Sequence, residues 1–110
     1  MTMESLPWPQ ALERYSQRIP SEALRVQVQV AGDDDCVLIY KGFSSSLMRS
    51  TPASADEAVI PSTATLIELE RLQAPLDPVS PKVLATYRDP EAVRALLRDQ
   101  GIDPAGLVNL

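Results

Sequence analysis

Aliphatic and polar residues alternate strictly between positions 24 and 30, where the chain reads LRVQVQV. A period of two places the aliphatic side chains on one face of a β-strand and the polar ones on the other. Turn-forming residues follow at 31–35, and a second apolar run then begins at Cys36. The pattern predicts a β-hairpin with strands at 24–30 and 36–42. In this register Val26 and Val28 face the core, while Arg25 and Gln27 lie on the opposite face.

Two further strands are predicted after the hairpin. The first is short, at 47–51, and follows a corner of three serines. The segment 65–72 fits two structures, because its alternation suits a strand while its Glu and Leu content also suits a helix. We interpret it as a strand, since proline-rich stretches flank it closely. Prolines at 75, 78 and 81 make the segment 73–88 an extended connector that packs on the sheet.

Helices are predicted at both ends of the chain, over 8–19 and 89–100. The first carries an apolar stripe, and the second begins at Asp89 and Pro90, which are typical of a helix N-terminus. The tail at 101–110 is expected on the surface. Together these elements predict one α+β domain over 1–110. Its antiparallel sheet has three or four strands, forms a meander that can curl towards a barrel, and is covered on one face by helices.

The residue inventory argues against catalysis. The chain has no histidine and one cysteine, Cys36, so neither a Ser-His nor a Cys-His pair can form. Neither nucleotide-binding glycine motif is present. Asp33, Asp34 and Asp35 are consecutive and point in different directions from a turn, so we interpret them as a solvated tip rather than a metal site. We expect a protein that is not an enzyme and holds no cofactor or metal, with Cys36 as an inert, half-buried thiol.

Charge and hydropathy bear on the class of partner. The net charge is −5 and the ten basic residues are scattered, whereas nucleic-acid binding draws on clustered Lys and Arg. No run approaches the roughly 18 apolar residues that span a bilayer, and the N-terminus has no secretory signal pattern. We expect a cytoplasmic protein that binds another protein. The alternative is a nucleic-acid-binding module whose sheet presents four basic residues, namely Arg25, Lys41, Arg49 and Arg71.

The stretch from Lys41 to Ser46 is the most distinctive in the chain, KGFSSS. As a recognition corner, it offers a lysine for an anionic group, with hydroxyl and backbone donors beside it. As a structural element, it is a bulged strand end whose serines satisfy the turn. Phe43 is expected to point into the core. The predicted partner-binding residues are Lys41, Ser44, Ser45, Ser46 and Arg49.

The run from Val37 to Leu47, VLIYKGFSSSL, resembles the signature of a small uncharacterised family shared by cyanobacteria and plant plastids. The segments 59–61, 66–70 and 73–78 fit the same pattern, so the similarity covers residues 22–98. The resemblance implies no assigned activity. It implies a place in the cyanobacterial cytoplasm and work in building or regulating photosynthetic or gene-expression machinery. The expected function is therefore that of a non-catalytic protein-binding or accessory factor.

Overall fold

Five antiparallel strands form the main sheet of this protein, whose structure is a computed structural model that describes residues 3–47, 59–61, 63–77 and 79–107. The strands lie in the order β4-β3-β2-β5-β6, so the longest ones are central. Their bounds are β2 Glu22–Val30, β3 Asp33–Tyr40, β4 Phe43–Ser46, β5 Thr65–Gln73 and β6 Val83–Tyr87.

In the described part of the chain, two helices and a small parallel strand pair complete the α+β fold. Helix α1 spans Trp8–Arg18 and α2 spans Pro90–Asp99, where the Asp89 side chain accepts a hydrogen bond from the Glu91 amide as an N-cap. Strand β1, Glu4–Pro7, pairs in parallel with β7, Ile102–Ala105. This pair joins the two ends of the described chain.

The predicted hairpin register is confirmed. Val26 pairs with Val37 and Val28 with Asp35, and both valines are buried. The hairpin turn is tighter than expected, because Ala31 and Gly32 alone connect the strands and β3 already begins at Asp33. Both turn residues have positive φ, as the two-residue turns of twisted hairpins require.

The core lies between one face of the main sheet and the two helices. Trp8, Leu12 and Leu97 from the helices pack against alternate residues of the central strands, including Leu24 and Ile39. Because only every second strand residue contributes to this core, the opposite face of the sheet carries a separate set of side chains.

Four predictions about the fold need correction. The main sheet has five strands rather than three or four, and it is open at β4 and β6 rather than closed into a barrel. The connector at 73–88 contains β6, and the tail at 101–110 contains β7 with Ile102 buried. Strand β7 was missed because it has four residues and pairs with β1 at the other end of the described chain. Strand β6 has five residues and directly follows the proline-rich segment, so it was taken as part of the connector.

Of the predicted third strand at 47–51, the structure describes only Leu47, which directly follows the strand that it shows in this region. The serine corner itself is strand β4, joined to β3 by a second two-residue turn at Lys41 and Gly42. Both of these residues have positive φ. Residues 48–51 lie outside the described residues.

Candidate functional site

The face of the main sheet opposite the helices presents a continuous surface, here called the open face. One row of paired residues crosses all five strands, because each member lies directly opposite the next in the strand register. This row consists of Ser45, Leu38, Arg25, Glu70 and Thr86. The neighbouring row at the Lys41 end includes Tyr40 and Phe43, which pair with each other.

A cavity of about 330 Å³ opens on this face. It lies between the β3–β4 hairpin and residues 76, 77 and 81 of the segment that follows β5. Its walls are aliphatic apart from one guanidinium and one carboxylate. The lining residues are Arg25, Leu38, Leu47, Leu72, Leu76, Asp77 and Pro81. Such a volume matches one large apolar side chain or a small ligand.

Arg25 is held rigidly at the edge of this cavity. Its Nε donates to Glu70 Oε1 at 2.8 Å and its Nη2 donates to Oε2 at 3.0 Å, a bidentate pair. Hydrogen bonding to Glu70 raises the pKa of Arg25 above its ordinary value, so the group stays charged. The Nη1 group makes no hydrogen bond with any residue that the structure describes, and its two N–H donors remain available to an acceptor in the cavity.

Large apolar side chains are exposed in the same segments that line the cavity. Phe43, on the open face of β4, is 78% exposed, and Val79, two residues after the lining residue Asp77, is 91% exposed. Leu47 is exposed as well. The Lys41 Nζ lies 5.3 Å from the centre of the Tyr40 ring, which places this cation on the same surface. An exposed apolar patch of this kind is typical of a surface that binds another molecule.

The prediction that Phe43 points into the core is wrong. Tyr40 lies on the open face, and Phe43 pairs with it across a two-residue turn, so both side chains must lie on the same face. A bulge at Gly42 was expected to interrupt the alternation of side chains between the two faces, and this assumption placed Phe43 on the wrong face. The sequence signal for the correct face was the two-residue turn with glycine in its second position.

The six residues from Lys41 to Ser46 divide between the two faces. Ser44 donates from its hydroxyl to Glu13 Oε2 at 2.8 Å, and Ser46 donates to Asp35 Oδ1 at 2.8 Å, both on the helix side. Lys41 and Ser45 lie with the open face. Of the predicted partner-binding residues, the structure therefore places Lys41 and Ser45 on the open face, which also holds the cavity, and Ser44 and Ser46 on the helix-covered face. Arg49 lies outside the described residues.

The prediction that Asp33, Asp34 and Asp35 form a solvated tip is wrong for Asp35. Asp35 is buried, and its Oδ1 accepts hydrogen bonds from the Cys36 amide and the Ser46 hydroxyl, both at 2.8 Å. Asp33 and Asp34 are exposed strand residues. Among the described residues, no three carboxylates or thiols converge in a way that could hold a metal ion.

Cys36 lies on the open face, half-buried, with the Gln27 amide donating to its sulfur at 3.3 Å. Burial raises the pKa of the Cys36 thiol. A thiol with a raised pKa is mostly protonated near neutral pH and is a poor nucleophile.

A second polar cluster lies on the helix-covered face. Arg71 donates from Nε and Nη2 to the two Glu22 carboxylate oxygens at 2.8 and 2.6 Å, and from Nη1 to the Tyr87 hydroxyl at 3.2 Å. Tyr15 donates to Glu22 Oε1 at 2.9 Å. The pKa of Glu22 is lowered by its hydrogen bonds with Arg71, and the pKa of Tyr15 is raised, chiefly by burial. The cluster is satisfied internally, which is typical of a structural network.

The basic residues proposed for the nucleic-acid alternative do not gather on one surface. Arg25 lies on the open face and Arg71 on the covered face, and each forms a bidentate pair with a glutamate. Every arginine among the described residues contacts a carboxylate. In the described ranges, only Lys41 and Lys82 are basic residues outside these ion pairs.

Comparison with known proteins places the chain in a family without supplying an activity. Within the described part of the chain, no helix has the length and apolar character needed to cross a membrane. No curated protein and no solved structure matches the chain. One family model matches residues 9–97, which is most of the sequence. The chain belongs to the family described as Domain of unknown function (DUF7734).

Proposed function

We propose that this protein is a non-catalytic binding factor that docks another protein on its open face. The observation that carries the proposal is the 78% exposure of Phe43 on the face of the sheet that also holds the Arg25 cavity. Aromatic side chains next to a shallow pocket and an arginine are the usual anchors of protein interfaces.

The breadth of the surface favours a protein over a small ligand. Phe43 does not line the cavity but is exposed on the same face of the sheet, so a ligand confined to the cavity would leave its ring in water. A protein surface covers the cavity and Phe43 together. The Arg25 Nη1 donors then bind a backbone carbonyl or a side-chain acceptor of the partner.

Charge argues for the same class of partner. Phosphate backbones are bound by several free Lys and Arg side chains, and here the described arginines are already neutralised by carboxylates. The net charge of −5 adds a repulsive field for nucleic acid. Protein binding is therefore preferred over the nucleic-acid alternative.

The cellular setting of the proposal comes from the resemblance of the VLIYKGFSSSL run to a family of cyanobacteria and plant plastids. We place the protein in the cyanobacterial cytoplasm, as an accessory factor of photosynthetic or gene-expression machinery. This part of the proposal is an association by family and not a consequence of the geometry.

Affinity capture from a cyanobacterial lysate, with and without nuclease, tests the function. We expect the wild-type protein to retain a defined protein despite nuclease treatment, and the double variant Phe43→Ser/Leu47→Ser to lose it. Met3→Ser is the matched control, because Met3 is also an exposed apolar residue but lies at the β1 end. Capture of the same protein by the double variant would contradict the proposal. Loss of every partner on nuclease treatment would support the nucleic-acid alternative instead.

A further inference from the structure

The cavity on the open face has an apolar floor and a partly polar rim. Leu72 is 2% exposed and is the most buried lining residue, while Leu38 is half-buried. Leu47 and Asp77 are exposed, so they lie where the cavity meets solvent. The Arg25 side chain, 29% exposed, is intermediate between these two groups. An occupant therefore needs an apolar end for the floor and polar groups nearer the rim.

The Asp77 carboxylate is held in place and keeps one oxygen available. Its Oδ1 accepts hydrogen bonds from the amides of Val79 at 2.9 Å and Ser80 at 3.3 Å. Its Oδ2 makes no hydrogen bond, and the carboxylate forms no ion pair, with any residue that the structure describes. A carboxylate that is already fixed loses little conformational entropy when it binds a donor.

Among the described residues that line the cavity, Asp77 carries the only charge without an opposite partner. Arg25 is the other charged lining residue, and Glu70 neutralises it in a bidentate pair. The two cations that form no ion pair in the described ranges, Lys41 and Lys82, do not line the cavity. The cavity therefore favours a cationic group over an anionic one.

The first residue of a protein chain supplies every group that this lining can bind. An aliphatic side chain fills the leucine floor, and the α-ammonium binds the Asp77 carboxylate at the rim. The first carbonyl accepts a hydrogen bond from the Arg25 Nη1, which makes none with the described residues. Capture of an N-terminal amine is one of the recurring modes of peptide recognition.

Other peptide groups match the lining less well. An internal segment offers Asp77 only neutral N–H groups, and a C-terminus brings a carboxylate towards Asp77 and Glu70. A lysine side chain that enters from solvent carries its ammonium towards the apolar floor at Leu72, away from the exposed Asp77.

We propose that the cavity binds the N-terminal residue of a partner protein, one with a free α-amine and an aliphatic side chain. The inference rests on the proposed function, since it names the part of the partner that the open face holds. Phe43 lies outside the cavity on the same face, so it remains available to the partner residues that follow the first.

Short peptides test the proposal on the full chain. The probe is a four-residue peptide amide with leucine first and alanine after it, and its binding is followed by NMR through the methyl signals of Leu38 and Leu72. We expect the N-acetylated peptide, which keeps the side chain but lacks the charge, to bind about tenfold more weakly. Acetylated peptides with an internal lysine should bind no better than this. Equal affinity of the free and acetylated leucine peptides, or tighter binding of the lysine peptide, would overturn the proposal.

A pair of matched variants locates the amine. Asp77→Asn removes the charge but keeps an oxygen acceptor for the amides of Val79 and Ser80, so the turn after residue 77 is retained. In this variant the free and acetylated peptides should bind equally. Asp34→Asn makes the same charge change at an exposed residue of β3 outside the cavity, and it should keep the tenfold preference. A preference that survives Asp77→Asn places the amine elsewhere and refutes the proposal.

N-terminal recognition and the proposed function can fail separately. If neither leucine peptide binds while the wild type still captures a nuclease-insensitive protein through Phe43 and Leu47, N-terminal recognition is refuted and the docking face stands. If the free peptide binds as expected but no protein is captured, the cavity assignment stands and the wider docking face is refuted. If nothing binds in either experiment, both are refuted.

Discussion

Breaking the Glu22–Arg71 pair should destabilise the fold, because it leaves the Arg71 charge partly buried without its partner, and replacing Glu22 with Gln measures that cost. Glu22 is 12% exposed and Arg71 25% exposed, and together they form two hydrogen bonds with Tyr15 adding a third. Removing one charge from a fully buried pair costs about 3–5 kcal/mol. Because this pair is partly hydrated and Gln keeps an acceptor, we expect a loss of about 2–3 kcal/mol.

Urea unfolding gives the measurement, and Trp8 is a suitable fluorescence probe since it is the single tryptophan and is buried in the core. With a slope of about 1.5 kcal/mol per molar urea, the midpoint should fall by about 1–2 M. Glu68→Gln is the matched control. It makes the same change in an ion pair whose arginine, Arg88, is 81% exposed, and it should cost less than about 1 kcal/mol.

The pH dependence of the unfolding free energy provides an independent check that the charged form of Glu22 is the stabilising one. The pKa of Glu22 is lower in the folded protein than its unfolded value of about 4.3, because Arg71 binds the charged form. Its stabilisation is therefore complete above that unfolded value and is lost as the pH falls through the folded pKa. The difference in unfolding free energy between wild type and Glu22→Gln should shrink below pH ~4. An equal effect of Glu22→Gln and Glu68→Gln, or a difference that does not change with pH, refutes this reasoning.

Three further substitutions test the core, the exposed aromatic residue and the second hairpin turn. Val28→Asp places an unpaired charge at a site that is 1% exposed, so the far-ultraviolet circular dichroism should show an unfolded chain; a wild-type melting curve would place Val28 outside the core. Phe43→Ala should change the unfolding free energy by less than about 0.5 kcal/mol, and a loss of 3 kcal/mol or more would show that the ring is buried. Gly42→Ala should cost about 1–2 kcal/mol because of its positive φ. It should cost more than Gly32→Ala, because a Cβ at Gly42 meets the Gln17 side chain at 2.6 Å while none is met at Gly32; equal melting temperatures would contradict this.

The sequence predicted only part of the candidate site. The KGFSSS run drew attention to the hairpin of β3 and β4, and the structure places Lys41 and Ser45 of that run on the open face. The serines flanking Ser45 were also expected to bind a partner, yet their hydroxyls bind carboxylates on the other side of the sheet. The error has one physical origin: strand residues alternate between faces, and Ser44 to Ser46 were interpreted as a corner, where no alternation applies.

Local patterns by themselves determined the elements whose causes are local. The alternation at 24–30 set the register of the central hairpin, and Asp89 with Pro90 set the start of α2, because side-chain periodicity and capping act within a few residues. Only the tertiary structure decided the rest. The pairing of Glu4 with Ile102 joins distant parts of the chain. Whether Arg25 and Arg71 are covered or open to solvent depends on which face of the sheet the helices cover. Both arginines look alike in sequence, but packing places one in a structural network and the other at the edge of an open cavity, since burial is a property of the assembled sheet.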